Sequence, residues 1–287
     1  AIVNDNNPSC TVGLALADNG FLICRATIPR EGAKGVVSHN NWFGAETGGF
    51  QISNPVGMTY QNKKVYVYTE TNGVEEFDHL SDKKFQIVEK LEPTKFRHNV
   101  TGLGSNDTHF FVTEGTNILH VLDEKFQETT QLRIIYDDHP IGQLTELEYV
   151  RGRIWANHYT RNEILVINPE DGQVEAFIDL SQFNQIPTPQ CCACHAPVAS
   201  GIAFDPEDDL LLISGKYWRF IYKIRVAYRF NDRTVEIGYN HGAPLSSTRV
   251  NDPQPHQTRP TNINPPNNNN NNNENENNEN NENNNSE

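Results

Sequence analysis

The chain has 287 residues, enough to bury a sizeable core. Its formal net charge of −14 argues against a nucleic-acid partner, and no apolar run approaches the length of a membrane span. Hydrophobic residues make up 36%, diluted by a C-terminal run of almost pure Asn and Glu that has too little apolar area to offset its ordering entropy.

In chain order, the first residues are AIVND, without an initiator Met. Such a start fits a mature secreted form. The triplets Asn99-Val100-Thr101, Asn106-Asp107-Thr108 and Asn284-Asn285-Ser286 are acceptors for N-linked glycans and fit an extracellular glycoprotein. CTVGLALADNGFLICRATI then reads as two strands around the turn Asp18-Asn19-Gly20. The same pattern returns in NPVGMTYQNKKVYVYTE, NVTGLGSNDTHFFVTEG, QLTELEYVRGRIWANHY and VASGIAFDPEDDLLLISGK. Each copy has a small polar lead-in, a pivot residue, an apolar residue, a few polar residues and an apolar strand. The pivots are Gly13, Gly57, Gly102, Glu146 and Gly201, spaced by roughly 44 residues until the insert FNQIPTPQCCACHAP lengthens the last interval.

Third strands follow in ILHVLDEKFQ and ILVINPEDGQV, and a fourth in EAFIDL. Four strands in each unit of that length is the arithmetic of a propeller blade, so five units predict an all-β, five-bladed β-propeller over residues 1–251. Residues 252–287 are expected to be a Pro- and Asn-rich linker followed by a disordered Asn/Glu tail. FIYKIRVAYRFNDRTVEIGYN supplies the last outer strands, and AIVND is a further candidate to complete a blade.

Of the five cysteines, Cys191, Cys192 and Cys194 crowd into CCACH. Ligands packed that closely do not surround a tetrahedral ion, and no metal site is expected. Cys10 and Cys24 flank a hairpin whose tight turn places Cys24 opposite about residue 14, which misaligns them for a disulfide. Blades five and one adjoin in a closed ring, which makes Cys10 a candidate partner for Cys191, Cys192 or Cys194. An odd count leaves one thiol over.

TELEYVRGRIWANHY, SGIAFDPEDDLLLISGKYW and TGLGSNDTHFFVTEGTNILHVLDEKF together resemble the plant and bacterial type of glutaminyl-peptide cyclotransferase. That resemblance implies a five-bladed propeller and a cofactor-free reaction. In it the α-amine of an N-terminal glutamine attacks the side-chain carboxamide, pyroglutamate forms and ammonia leaves. Such chemistry needs a proton carrier and donors for a tetrahedral oxyanion.

In the resembled family the residues just before the pivots are Gln, Glu, Trp, Asn and Asn, and the Glu is the proton shuttle. Here they are Val12, Val56, Thr101, Thr145 and Ser200, none of which ionises near neutral pH. Tyr159 keeps an aromatic shape in the WAN motif, and Lys216 and Trp218 survive in GKYW, as do Trp155 and Asn157. Glu146 and Glu148 match the family's ELEY stretch and read as structural carboxylates that bridge blades. The expectation is a silent or altered relative that binds a peptide or small molecule at the propeller mouth through Val12, Val56, Thr101, Thr145, Tyr159, Ser200 and Trp218. The competing reading is an active cyclase whose acid/base has moved to Glu70, with Lys216 positioning the substrate.

Overall fold

The computed structural model describes residues 2–4, 10–17, 19–26, 34–79, 85–91, 99–183, 198–216, 218, 220–229 and 234–239. The chain divides into Ala1–Val250 and Asn251–Glu287. Every described residue belongs to the first unit, so the linker and tail lie outside the described residues, as do Cys191, Cys192 and Cys194 and the proposed pairings to them.

A short strand, β1 (Ile2–Asn4), precedes the first blade. Blade 1 is β2 (Cys10–Ala17), β3 (Gly20–Ala26), β4 (Lys34–Asn41) and β5 (Glu46–Ser53). Blade 2 is β6 (Pro55–Gln61), β7 (Lys64–Thr69), β8 (Gly73–His79) and β9 (Phe85–Leu91). Blade 3 is β10 (Gly102–Ser105), β11 (Phe110–Thr113), β12 (Ile118–Leu122) and β13 (Glu128–Arg133). A small hairpin, β14 (Ile135–Tyr136) and β15 (His139–Pro140), leads to blade 4. That blade is β16 (Leu144–Val150), β17 (Arg153–His158), β18 (Glu163–Ile167) and β19 (Val174–Asp179). Blade 5 is β20 (Ala199–Asp205), β21 (Leu210–Gly215), β22 (Phe220–Arg229) and β23 (Thr234–Tyr239).

Each blade is an antiparallel meander. The inner strands β2, β6, β10, β16 and β20 contact one another in turn and close from the last back to the first, so the molecule is a five-bladed β-propeller. The outer edge of β22 carries two partners in series: β1 pairs with Phe220–Tyr222, and β23 pairs with Ile224–Arg229. Both candidates for the last blade therefore contribute, and pairing of the N-terminal strand with the final blade helps to close the ring.

The second strands are largely buried because both faces of a blade are covered. FFVT of β11 and LLLISG of β21 are buried at every position. The buried side chains fall into five clusters, one for each seam between blades. In the seam between blades 2 and 3, Phe110 stacks on Phe126 at 4.1 Å between ring centres, and Tyr66 meets Phe110 edge-on at 4.8 Å.

The pivots are where inner strands approach most closely. A Cβ at Gly13 would lie 2.8 Å from the Cβ of Met58, and one at Gly57 would lie 2.7 Å from the Leu103 nitrogen. Only glycine allows that separation. Register shifts occur in the inner hairpins between Thr11 and Gly13, Pro55 and Gly57, Leu144 and Leu147, and Ala199 and Gly201. Val12, Val56 and Ser200 are thus bulged residues, the blade 4 irregularity spans Thr145 and Glu146, and Thr101 stands immediately before β10. A bulge re-aims its side chain away from the regular pleat.

Candidate functional site

The inner strands begin at one end of the propeller, the mouth, and the second strand of each blade ends there. Val12, Val56, Thr101 and Thr145 are half-buried and Ser200 is buried. All but Thr145 lean on the following blade. Val12 packs against the cluster between blades 1 and 2, and Val56 against the one between blades 2 and 3. Thr101 donates its hydroxyl to the Leu144 carbonyl at 2.7 Å, and Ser200 donates to the Thr11 carbonyl at 2.8 Å. Thr145 lies 3.4 Å from the carbonyl of Asn157. The ring positions therefore carry only aliphatic and hydroxyl groups.

At the ends of the second strands, Lys216 and Tyr159 come together, with the ammonium 4.8 Å from the ring centre. Their main chains are anchored: Lys216 N–H donates to Val198 O and Tyr159 N–H to Gln143 O, both at 2.8 Å. Beside Tyr159, the imidazole of His158 is held down to a pKa of about 4, first by burial and then by Arg161, so it stays neutral at physiological pH. Trp218 belongs to the core between blades 4 and 5, where it meets Tyr222 edge-on at 5.8 Å and is 4% exposed. Glu70 is exposed in the turn after β7, its N–H bonded to Asn54 O at 3.1 Å.

Two carboxylates of blade 4 have raised pKa values: Glu146 is buried, whereas Glu148 is only half-buried. Glu148 accepts the Phe204 N–H at 2.9 Å and so bridges blades 4 and 5. Burial raises its pKa to about 8 despite that bond. Glu146, the one pivot that is not glycine, is 1% exposed. Its carboxyl faces the N–H groups of Leu14 and Met58, on blades across the ring, and burial followed by the Glu148 charge pushes its pKa well up. Neither oxygen makes a well-formed hydrogen bond, and the amide of Asn157 on the paired strand is likewise buried without a partner. Burial and the Glu146 charge also push the Cys24 thiol up; Cys24 is free, paired across the hairpin with Gly13, while Cys10 stands opposite Ala26.

A third group was missed by motif reading. Glu114 follows Thr113, and its Oε2 lies 3.3 Å from His120 Nε2. His120 Nδ1 lies 2.9 Å from Glu128 Oε2, and Gln131 donates to the other Glu128 oxygen at 2.6 Å. The Glu114 and His120 side chains are almost fully buried, and Glu128 is 24% exposed. The available signal was a Thr-Glu pair that ends the second strand in both blade 2 and blade 3. Among the described residues, no group of three or more His, Cys, Asp or Glu side chains is arranged to hold a metal ion. A hollow lined by Val150, Arg151, Trp155, Phe204 and Asp209 lies at the end opposite the mouth, bordered by the Arg151–Asp209 ion pair.

The closed ring of five four-stranded sheets, with an aromatic–cation pair at its mouth, defines a five-bladed β-propeller. Residues 51–226 match the family model for glutamine cyclotransferase, and the chain belongs to that family. It is 29% identical over 145 residues to a glutaminyl-peptide cyclotransferase of Arabidopsis thaliana, a match that covers 48% of this chain and 44% of that protein. The match thus spans under half the length of that relative. The crystal structure of Myxococcus xanthus glutaminyl cyclase superimposes with a TM-score of 0.65 at 19% identity, covering 78% of this chain and 94% of that one, which shows the shared fold.

Proposed function

We propose that the protein binds peptide amino termini at its mouth and that the ring residues themselves do not run glutamine cyclisation. The observation that carries this reading is the pairing of an intact aromatic–cation contact, Tyr159 with Lys216, with a ring of Val12, Val56, Thr101, Thr145 and Ser200. Tyr159 offers a face and Lys216 a donor, while the threonine hydroxyls supply polar contacts. Nothing in that ring moves a proton near neutral pH. Tyr159 and Lys216 are the principal ligand contacts in this reading, and Trp218 supports them through the core.

Calorimetric titration with a glutamine-initiated peptide tests the proposal. Saturable binding is expected, weakened in Lys216→Ala and Tyr159→Leu. A wild-type protein that takes up no such peptide would overturn it. The same reading takes the chain as secreted: Asn99 is exposed within its sequon. A mass shift on enzymatic deglycosylation of the natively produced protein is the expected result.

A further inference from the structure

The end opposite the mouth carries two features that the binding reading does not use. The first is a knob. Trp42 and Phe43 stand in the turn from β4 to β5, and Asn41 pairs with Gly20 at the start of β3, which places the turn at that end. Phe43 is 93% exposed, and among the described residues the one other large apolar side chain left exposed is Val36, at 37%. The tip is held by its own hydrogen bonds. Asn41 Oδ1 accepts the N–H groups of Phe43 at 2.9 Å and of Ala45 at 3.0 Å. Asn41 N–H donates to Ala45 O at 3.0 Å, and Gly44 N–H donates to Asn41 O at 2.8 Å. A ring displayed on a formed turn leaves little main-chain freedom to lose when a partner covers it.

The second feature is the hollow between blades 4 and 5. Val150, Trp155, Phe204 and Val226 give it apolar walls, and the Arg151–Asp209 ion pair stands at its edge. Arg151 lies in the turn from β16 to β17 and Asp209 in the turn from β20 to β21, so the hollow opens at the same end as the knob. The Arg151 guanidinium is 6.0 Å from the centre of the Phe204 ring, and a second ring entering the hollow would meet the same cation. Blade 5 separates hollow and knob. There the Lys223 ammonium lies 4.0 Å from the centre of the Trp42 ring and feels the charges of Asp205 and Asp208.

We propose that this end is a self-association surface: Phe43 of one copy enters the blade 4–5 hollow of a second copy, and the exchange is reciprocal. Two points on one end of a molecule are exchanged by a two-fold axis that runs in the interface along their perpendicular bisector. Knob and hollow therefore satisfy each other twice in a closed pair. That axis crosses the end of blade 5. The formal net charge of −14 makes two copies repel at long range, and it disfavours an anionic membrane for the same reason. The end itself is mixed in sign, with Lys223 and Arg151 beside Asp208 and Asp209, so each charge can find an opposite one on the second copy. Two Phe anchors bury about 300–500 Å², against roughly 1,200 Å² for the smaller stable interfaces. Trp42 and the charged rim have to supply the remainder, which makes the pair reversible and concentration-dependent.

The experiment is sedimentation velocity of the full chain over a concentration series. The mass is expected to rise from one chain to two and no further. Phe43→Ser, at an exposed tip, should weaken pairing by about tenfold or more while the melting temperature stays at its wild-type value. Val226→Phe fills the hollow from its own wall and should give a similar loss. Mixed in equal amounts, the two variants should pair with each other more tightly than either pairs with itself, because one knob and one hollow survive in the mixed pair. If Val226→Phe does not fold, Arg151→Glu, at the hollow's exposed edge, takes its place in the mixture. A wild-type chain that stays single at every concentration overturns the proposal. So does Phe43→Ser that pairs as tightly as wild type, a mixture that gains nothing, or growth beyond two copies. Single chains that co-sediment with anionic vesicles, and lose that binding in Phe43→Ser, would overturn it in favour of a membrane.

Discussion

The seam between blades 2 and 3 and the seam between blades 4 and 5 both bring carboxylates into a mostly apolar interface, yet they handle them differently. In the blade 4–5 seam, Glu148 is tied to the Phe204 N–H and its raised pKa shows that burial outweighs that bond. Glu146 goes further, standing where four other blades use glycine and meeting main-chain N–H groups across the ring. In the blade 2–3 seam, Glu114 and Glu128 instead flank an imidazole. Glu148 is thus held by one main-chain bond from the next blade, whereas Glu114 and Glu128 are tied together through a side chain of their own blade. The tryptophans of the WAN and GKYW motifs pack into the blade 4–5 core.

The largest expected effect breaks the packing half of that contrast. Trp218 is enclosed by the blade 4–5 core, and truncation to Ala should cost about 3–5 kcal/mol of stability. Denaturant unfolding measures it. Trp218→Phe should recover most of the loss and bind peptide normally. A Trp218→Ala protein of native stability but without peptide affinity would instead make Trp218 a ligand contact.

Glu148→Gln sharpens the electrostatic half. The folded pKa of Glu148, about 8, exceeds its unfolded value, so the folded state holds the proton more tightly. The contribution to stability is fully present below the unfolded carboxylate range and is lost as pH rises toward 8. Glu146 acts with the same sign. His158 acts oppositely: its folded pKa, about 4, is below its unfolded value, so stability falls as pH drops through that window. The stability gap between Glu148→Gln and wild type should therefore widen in favour of the variant from pH 5 to pH 8. Melting curves across that range check it, and a pH-independent gap would mean that Glu148 is ionised at little cost.

Much of this architecture was readable from the chain. The pivots announced themselves because a ring of inner strands leaves no room for a Cβ at Gly13 or Gly57. The bulges were not readable, because an inserted residue such as Val56 looks like any other member of an alternating run until the register is seen. The Glu114 cluster was hidden for a related reason. Blades 2 and 3 both carry Thr-Glu at the end of the second strand, but Thr69 pairs with Gly73 and Thr113 with Leu119. The longer turn in blade 3 sets His120 opposite Val112, whereas the shorter one in blade 2 sets Val74 opposite Tyr68. One Glu thus gains an imidazole and is buried, and its counterpart has an aliphatic neighbour and stays in water.

At the mouth, Lys216→Ala should weaken peptide binding by removing the ammonium offered to the ligand, and the lost contact with the Tyr159 ring should cost about 0.5–1 kcal/mol of stability. Titration calorimetry and thermal melts separate the two. The smallest effect is expected at Glu70. Its carboxylate is exposed, and only its main-chain N–H is tied to Asn54. Glu70→Gln should therefore change stability by less than about 0.5 kcal/mol and leave peptide affinity as it was.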